Sequence, residues 1–204
     1  DELRDALKRG GLKMVYQPQV DQHGTLVGVE ALMRWHSAER GAVPPTVFVP
    51  LAEACGLGAQ IGRFALDQAF ADSRRWPGVQ VAVNVSPVQL QDLDFLAEVE
   101  TLLDTHGVSA ADLELEITEG VFLENNPVVQ ANLRGLRKLG FQLALDDFGA
   151  GHAGFGYLTH FQVDKIKIDR SFVTPLGLRA DAAPIIRAIA DLSDALGVKV
   201  LAEG

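Results

Sequence analysis

The sequence predicts an α/β fold on a largely parallel sheet. Short apolar runs alternate with helical patterns through its second half, as in repeated strand-then-helix units. Runs of this length between helices read as strands covered on both faces. Six of them carry polar residues near the C-terminal end: Glu30, Asn84, Glu116, Asp146 with Asp147, Lys167 and Glu203. Ligands of such sheets bind at the carboxyl ends of the strands.

In chain order, Leu3 and Leu7 with the Lys8-Arg9-Gly10-Gly11 ending predict a short helix stopped by glycine. Residues 14–20 predict a strand, and the turn 21–24 leads to a second over 26–35. With only a turn between them, the two are antiparallel neighbours. Pro44-Pro45 opens a helical pattern from Phe48 to Arg75, broken around Gly56-Leu-Gly58 and ended by Pro77. Strand 79–85 then precedes helix 88–104, strand 113–118 precedes helix 127–139, and strand 141–145 precedes a glycine-rich loop. Strand 163–168 precedes helix 182–196, where Ile185, Ile189, Leu192 and Leu196 keep the spacing of a core-facing stripe. Strand 198–202 comes last. Seven strands are one short of a closed eight-stranded α/β barrel, so either the chain continues past Gly204 or the sheet is open and covered by something else.

Five carboxylates, one amide and one ammonium converging at the strand ends repel one another unless a cation sits among them, and a divalent metal is the usual answer. The composition permits such an enzyme. The 204 residues, 48% hydrophobic and 22% charged, suffice for one sizeable domain without an internal linker or repeat. A net charge of −9 argues against nonspecific binding to DNA or other nucleic-acid backbone. The single Cys55 excludes an internal disulfide and reads as a core or helix thiol. No signal pattern and no apolar run of about 20 residues is present, so a cytoplasmic location is expected, with a membrane anchor elsewhere in a parent protein left open. Trp35, Trp76 and the phenylalanines read as core or interface, and His36, His106 and His160 as surface residues without ligand-like spacing.

The motifs, taken together, resemble the EAL domain family. They are Tyr16-Gln-Pro18, Glu30-Ala-Leu-Met-Arg34-Trp, residues 45–62 with Phe48-Val-Pro50-Leu-Ala-Glu53, and Val83-Asn-Val-Ser-Pro87. Leu113-Glu-Leu-Glu-Ile-Thr-Glu119, Asp146-Asp-Phe-Gly-Ala-Gly151, Lys165-Ile-Lys-Ile-Asp-Arg170-Ser-Phe and Ala202-Glu-Gly204 complete the set. Any one is weak alone; together they follow the family's order along nearly the whole chain. The resemblance implies a TIM-type (β/α)8 barrel with its first strand antiparallel, here lacking the eighth strand, and one domain over residues 1–204 without its C-terminal strand and helix. It implies metal-dependent hydrolysis of cyclic di-GMP to linear pGpG in bacterial second-messenger signalling.

Carried over by position, the resemblance implies that Glu30, Asn84, Glu116 and Asp146 hold one metal. Asp146 is shared with a second metal that Asp147 and Glu203 help to bind. Mg²⁺ or Mn²⁺, two ions, suits such oxygen ligands and could activate a water and clamp the attacking and leaving oxygens. Lys167 then orients the water or stabilises phosphate charge, and Glu203 is also a candidate base. Gln17 and Arg34 match substrate-contacting positions, Arg34 with the fork geometry that suits phosphate. Glu119 matches a position holding the loop after strand five. The family also implies a homodimer and flanking sensory or cyclase domains.

Structural alternatives stand beside these roles. Glu30 could be a solvated strand-end charge, and Asn84 could cap the helix that follows. Glu114 or Glu116 could lie on a wet strand face, and the resemblance selects Glu116. Lys165 and Lys167 share a strand face with Asp169, and an internal salt bridge could account for both. The loop 148–157 departs from the family's Asp-Phe-Gly-Thr-Gly-Tyr-Ser-Ser-Leu-Ser-Tyr form at Ala150, His152, Ala153, Gly154 and Gly156, which bears on turnover and its regulation. The family's eighth-strand Gln-Gly segment is not in the sequence. The alternative functions are a catalytically weak or inactive cyclic di-GMP receptor, and a scaffold without ligand binding. Intact Glu30, Asp146 and Lys167 favour the enzyme, and retained Gln17 and Arg34 count against the scaffold.

Overall fold

The computed structural model describes residues 2–123, 126–149, 162–179 and 181–203. Helix α1 (Glu2–Arg9) leads into β1 (Leu12–Val20), which pairs antiparallel with β2 (Leu26–Ser37) from Leu12 opposite Trp35 to Val20 opposite Leu26. The short β3 (Gly41–Val43) pairs antiparallel with the end of β2. Three residues are too few to show a hydrophobic period, so the sequence left this strand unread. Helices α2 (Pro45–Ala54) and α3 (Gly58–Ser73) follow, separated at Gly56-Leu-Gly58 as expected.

From β4 (Gln80–Asn84) onward every sheet pairing is parallel, through β5 (Leu113–Thr118), β6 (Gln142–Phe148), β7 (Lys165–Ile168) and β8 (Lys199–Ala202). The path β1-β2-β4-β5-β6-β7-β8, with β3 beside β2, is a curled, barrel-like mixed sheet whose first strand is antiparallel. Its two flanks meet through side chains: Lys165 on β7 donates to Gln19 on β1 over 3.3 Å.

The expected helix 88–104 is two helices, α4 (Pro87–Leu90) and α5 (Phe95–His106). Between them the Asp92 carboxylate accepts the Asp94 N–H at 3.0 Å, a local bond that competes with helix continuation. The Asn132 amide reaches the Leu90 and Asp92 carbonyls at 2.9 and 2.7 Å and stabilises the break. α6 (Gly120–Leu123), α7 (Pro127–Leu139), α8 (Arg170–Val173) and α9 (Ala182–Leu196) complete the α-helices among the described residues.

Alternation along the strands divides the interior. Val81, Val83, Leu113, Leu115, Ile117, Leu143, Leu145, Ile166 and Ile168 point outward into a continuous apolar layer with Leu66, Phe70, Val99, Leu102, Leu133, Leu136 and Ile189 of the helices. Burying each such side chain contributes roughly 1.5–3 kcal/mol, so this layer carries most of the fold's stabilisation. The intervening inward residues are polar or small. A second apolar cluster joins Leu3, Leu12, Trp35, Phe48, Ala52, Leu57 and Ile61 at the α1–α2 side, with Trp35 edge-on to Phe48 at 6.0 Å.

Several expectations need correction. Cys55 is exposed at the C-terminal cap of α2, outside the core. In the α9 stripe Ile189 is buried, but Ile185 and Leu196 are substantially exposed. His106 is half-buried, its Nε2 lying 2.8 Å from an Asp67 carboxylate oxygen. The substitutions at Ala150, His152, Ala153, Gly154 and Gly156, and His160, lie outside the described residues.

Candidate functional site

Residues paired in register on adjacent strands face the same way. Glu30 pairs with Ala82, Asn84 with Glu116, Glu116 with Ala144, and Ala144 with Lys165. Successive inward positions two residues on are Asn84 on β4, Asp146 on β6 and Lys167 on β7. Strand geometry alone therefore collects Glu30, Asn84, Glu116, Asp146 and Lys167 inside the curl, and Glu203, whose N–H donates to the Ile168 carbonyl just after β8, joins them.

Lys167 is the hub. Its ammonium lies 3.3 Å from Glu30 Oε2, 2.9 Å from Glu116 Oε2, 3.0 Å from Asp146 Oδ1 and 2.8 Å from Glu203 Oε1. Burial alone would favour losing its proton, but Glu116, Asp146 and Glu30 outweigh it and hold the ammonium charged well beyond the ordinary lysine range. The same crowding acts on the acids. Burial pushes the Glu116 carboxyl well above its usual range, against the pull of Lys167 and with Glu30 and Asp146 adding to the rise. Burial likewise raises Glu203 and Asp147, Asp147 further through Asp146 and Asp169.

Asn84 donates to Glu116 Oε2 at 3.1 Å and towards Glu30 Oε1 at 3.4 Å. It does not cap the next helix. Ser86 does so, in a reciprocal box with Gln89. Glu116 is 1% exposed and its Oε1 has no hydrogen-bond partner among the described residues. An orphaned buried carboxylate oxygen is costly unless a cation meets it.

Asp146 and Asp147 would face opposite ways on a regular strand. The β6–β7 register shifts between Leu145 and Phe148, and Asp147 adopts a left-handed backbone with φ 55°. Such bulges re-aim side chains and concentrate near functional sites. One carboxylate oxygen each from Asp146, Asp147 and Glu203 consequently lie within 4.8 Å of one another, a grouping able to hold a metal ion. The oxygen and amide donors suit a hard divalent cation.

Glu30, Asn84 and Asp146 border a cavity of about 480 Å³ extending between β2, α2, α3 and the start of α4, where Arg34 also lies. Arg34 is half-buried, with Nη1 donating to the Met33 carbonyl at 3.0 Å. Gln17 sits apart on the β1 flank, opposite Glu30 in register, and lines a second cavity of about 470 Å³ with Glu30, Arg170 and Glu203. Glu119 is buried just beyond β5, its Oε2 without a partner among the described residues. The structure thus brings Glu30, Asn84, Glu116, Asp146, Asp147, Lys167 and Glu203 into one cluster, with Arg34 and Gln17 on either flank. The wet-face reading of Glu114 and Glu116 is overturned, both being fully or almost fully buried inside the curl.

A family model described as the EAL domain matches residues 1–204. An uncharacterised protein of Sinorhizobium fredii is 40% identical over 204 residues, covering 99% of this chain and 25% of that protein. The bifunctional diguanylate cyclase/cyclic di-GMP phosphodiesterase MucR of Pseudomonas aeruginosa is 36% identical over 209 residues, covering 100% of this chain and 30% of its own length. The chain thus spans about a quarter to a third of these curated relatives. A solved structure titled as the PaMucR phosphodiesterase in complex with c-di-GMP superposes with a TM-score of 0.93 at 36% identity, covering 100% of this chain and 85% of the other.

Proposed function

Because the chain belongs to the EAL domain family, we propose that it hydrolyses cyclic di-GMP to linear pGpG with the help of divalent metal. The observation that carries this reading is the cluster around Lys167, where four carboxylates share one ammonium, Asp147 stands beside two of them, and a buried Glu116 oxygen stays unmatched. Glu30, Asn84, Glu116 and Asp146 would hold one ion, and Asp146, Asp147 and Glu203 a second, Mg²⁺ or Mn²⁺ in each case. When bound, such ions supply Lewis acidity and an activated water for in-line phosphodiester displacement.

The chain's own residues supply the rest. Lys167 fixes the carboxylates against one another and offers positive charge where the phosphate's negative charge grows. Glu203, the least buried of the four acids on Lys167, would take a proton from the attacking water. Arg34 sits in the cavity beside Glu30, where its guanidinium can grip a phosphate through two parallel hydrogen bonds. Gln17 can contact substrate from the opposite flank. Glu119 would hold the loop after β5.

We read residues 1–204 as one such catalytic unit, working in a homodimer within a longer cytoplasmic signalling protein with sensory or cyclase domains. Among the described residues no helix is long and apolar enough to cross a membrane.

The test is to incubate the full-length protein with cyclic di-GMP and Mg²⁺ or Mn²⁺ and follow pGpG by chromatography, with an EDTA control. Metal-dependent product supports the enzyme. Binding without product would make the protein a cyclic di-GMP receptor.

A further inference from the structure

One level deeper in the barrel lies a second set of buried charges that the hydrolytic chemistry does not use. Glu114 precedes Glu116 by two residues on β5, and Lys165 precedes Lys167 by two on β7. Each pair therefore faces inward at successive levels, roughly 7 Å apart along its strand. Lys165 Nζ lies 2.7 Å from Glu114 Oε1 and 3.3 Å from Gln19 Oε1. Glu114 is 0% exposed, and its Oε2 has no partner among the described residues. Lys165 and Lys167 are the two buried lysines among those residues.

Stability is an insufficient reason for this pair, since apolar side chains of equal volume often replace a buried ion pair without loss. Its placement supplies another. Glu114 has no access to water, so without Lys165 its strongest available partner is the ammonium one level above. A lysine head on a flexible four-carbon stem can swing to meet it.

We propose that Lys165 is a positioning residue: by occupying Glu114, it leaves Lys167 free to stay among Glu30, Glu116, Asp146 and Glu203. Remove Lys165, and Glu114 draws Lys167 down and away from the mouth. The kinetic consequence rests on the hydrolytic reading; the consequence for metal binding does not.

The test compares Lys165→Met with the double variant Lys165→Met/Glu114→Gln in the full-length protein. Mn²⁺ affinity is read by electron paramagnetic resonance, kcat and KM with cyclic di-GMP, and folding by thermal melts. In Lys165→Met, departure of a competing ammonium should tighten Mn²⁺ binding about tenfold, while misplacement of Lys167 lowers kcat about ten- to a hundredfold at unchanged KM. Glu114→Gln should restore both in the double variant, because a neutral amide no longer attracts Lys167. General destabilisation gives a different signature, weakening Mn²⁺ binding and activity together. Should Lys165→Met fail to fold, Lys165→Gln, which can still donate to Glu114 but carries no charge, takes its place with the same expected split. Unchanged Mn²⁺ affinity and kcat in the folded single variant would overturn the proposal, as would losses that Glu114→Gln does not relieve. An inactive wild type would defeat the hydrolytic reading alone, and the Mn²⁺ comparison would still decide the role of Lys165.

Discussion

Asp146 and Asp147 are consecutive on β6, yet each contributes a carboxylate oxygen to one cluster with Glu203. The arrangement depends on the bulge and on the left-handed backbone of Asp147, where non-glycine residues are strained by roughly 1 kcal/mol or more. Asp147→Gly is therefore expected to hold or raise the melting temperature while weakening Mn²⁺ binding. Thermal melts in EDTA beside a Mn²⁺ titration check both effects, and a fall in stability with metal affinity intact would count against the assignment.

Glu30→Ala removes a carboxylate from Lys167 and from the candidate first metal site. Hydrolysis should fall by about a hundredfold or more, since losing even a supporting group at a metal centre costs ten- to a hundredfold. Steady-state pGpG formation at saturating Mn²⁺ measures it, and near-normal turnover would refute the metal role.

Arg34 lines the cavity beside Glu30, outside the Lys167 cluster. A lost charged hydrogen bond costs about 1.5–3 kcal/mol, so Arg34→Ala should weaken substrate use about ten- to a hundredfold. Mn²⁺ affinity should stay put. Parallel calorimetric titrations of metal and substrate separate the two effects, and a matched loss of metal binding would contradict the phosphate-gripping role.

Stability should depend on pH in a direction set by the crowded acids. Glu116, Asp147 and Glu203 all have raised folded-state pKa values, chiefly from burial. A group raised in the fold contributes stability below its unfolded value and loses it as pH rises through its folded one. Lys167 is raised too, but above the lysine range, so its contribution persists through neutrality. Metal-free protein should consequently melt lower at about pH 8 than at about pH 5, above the unfolded carboxylate range. Excess Mn²⁺ should narrow the difference. A melting temperature that climbs over this interval in EDTA would show that burial does not hold these acids above their unfolded values.

A Cβ at Gly62 on α3 would fall 2.2 Å from Gln89 Oε1 on α4, and Gln89 in turn accepts from the Ser86 N–H and hydroxyl. Gly62→Ala should therefore cost about 1–3 kcal/mol through overpacking. It should also disturb Asn84, two residues before Ser86. Denaturant melts and Mn²⁺ affinity report the two effects.

Much of the site was readable because strand-end polar residues in a parallel sheet converge whatever the loops do. That reasoning placed Glu30, Asn84, Glu116, Asp146, Lys167 and Glu203 together. Glu114 was ambiguous because alternation says which residues share a face but not which face is wet, and only the sheet's curl settles it. The bulge at Asp147 left no mark in the hydrophobic pattern. β3 was too short to register, and the break between α4 and α5 depends on Asn132, some forty residues away. Cys55 was expected in the core or on a helix from the general tendency of free thiols to be buried, and that tendency does not register that it caps the end of α2, where it is exposed.

The barrel's deeper level is filled by long side chains lying over small ones. Gln19 lies above Gly28, where an added Cβ would come 3.1 Å from its Oε1, and Lys165 reaches Glu114 over Ala144, the β6 residue in register with it. Space and charge are therefore settled together here, and neither can drift alone. A larger residue at Gly28 or Ala144 would have to arrive with a shorter partner, and that shorter partner would abandon the hydrogen bond from Lys165 to Gln19 or the ion pair of Lys165 with Glu114. Divergence at this depth should proceed in matched steps, leaving related sequences with either the whole long-over-small set or a wholly different filling.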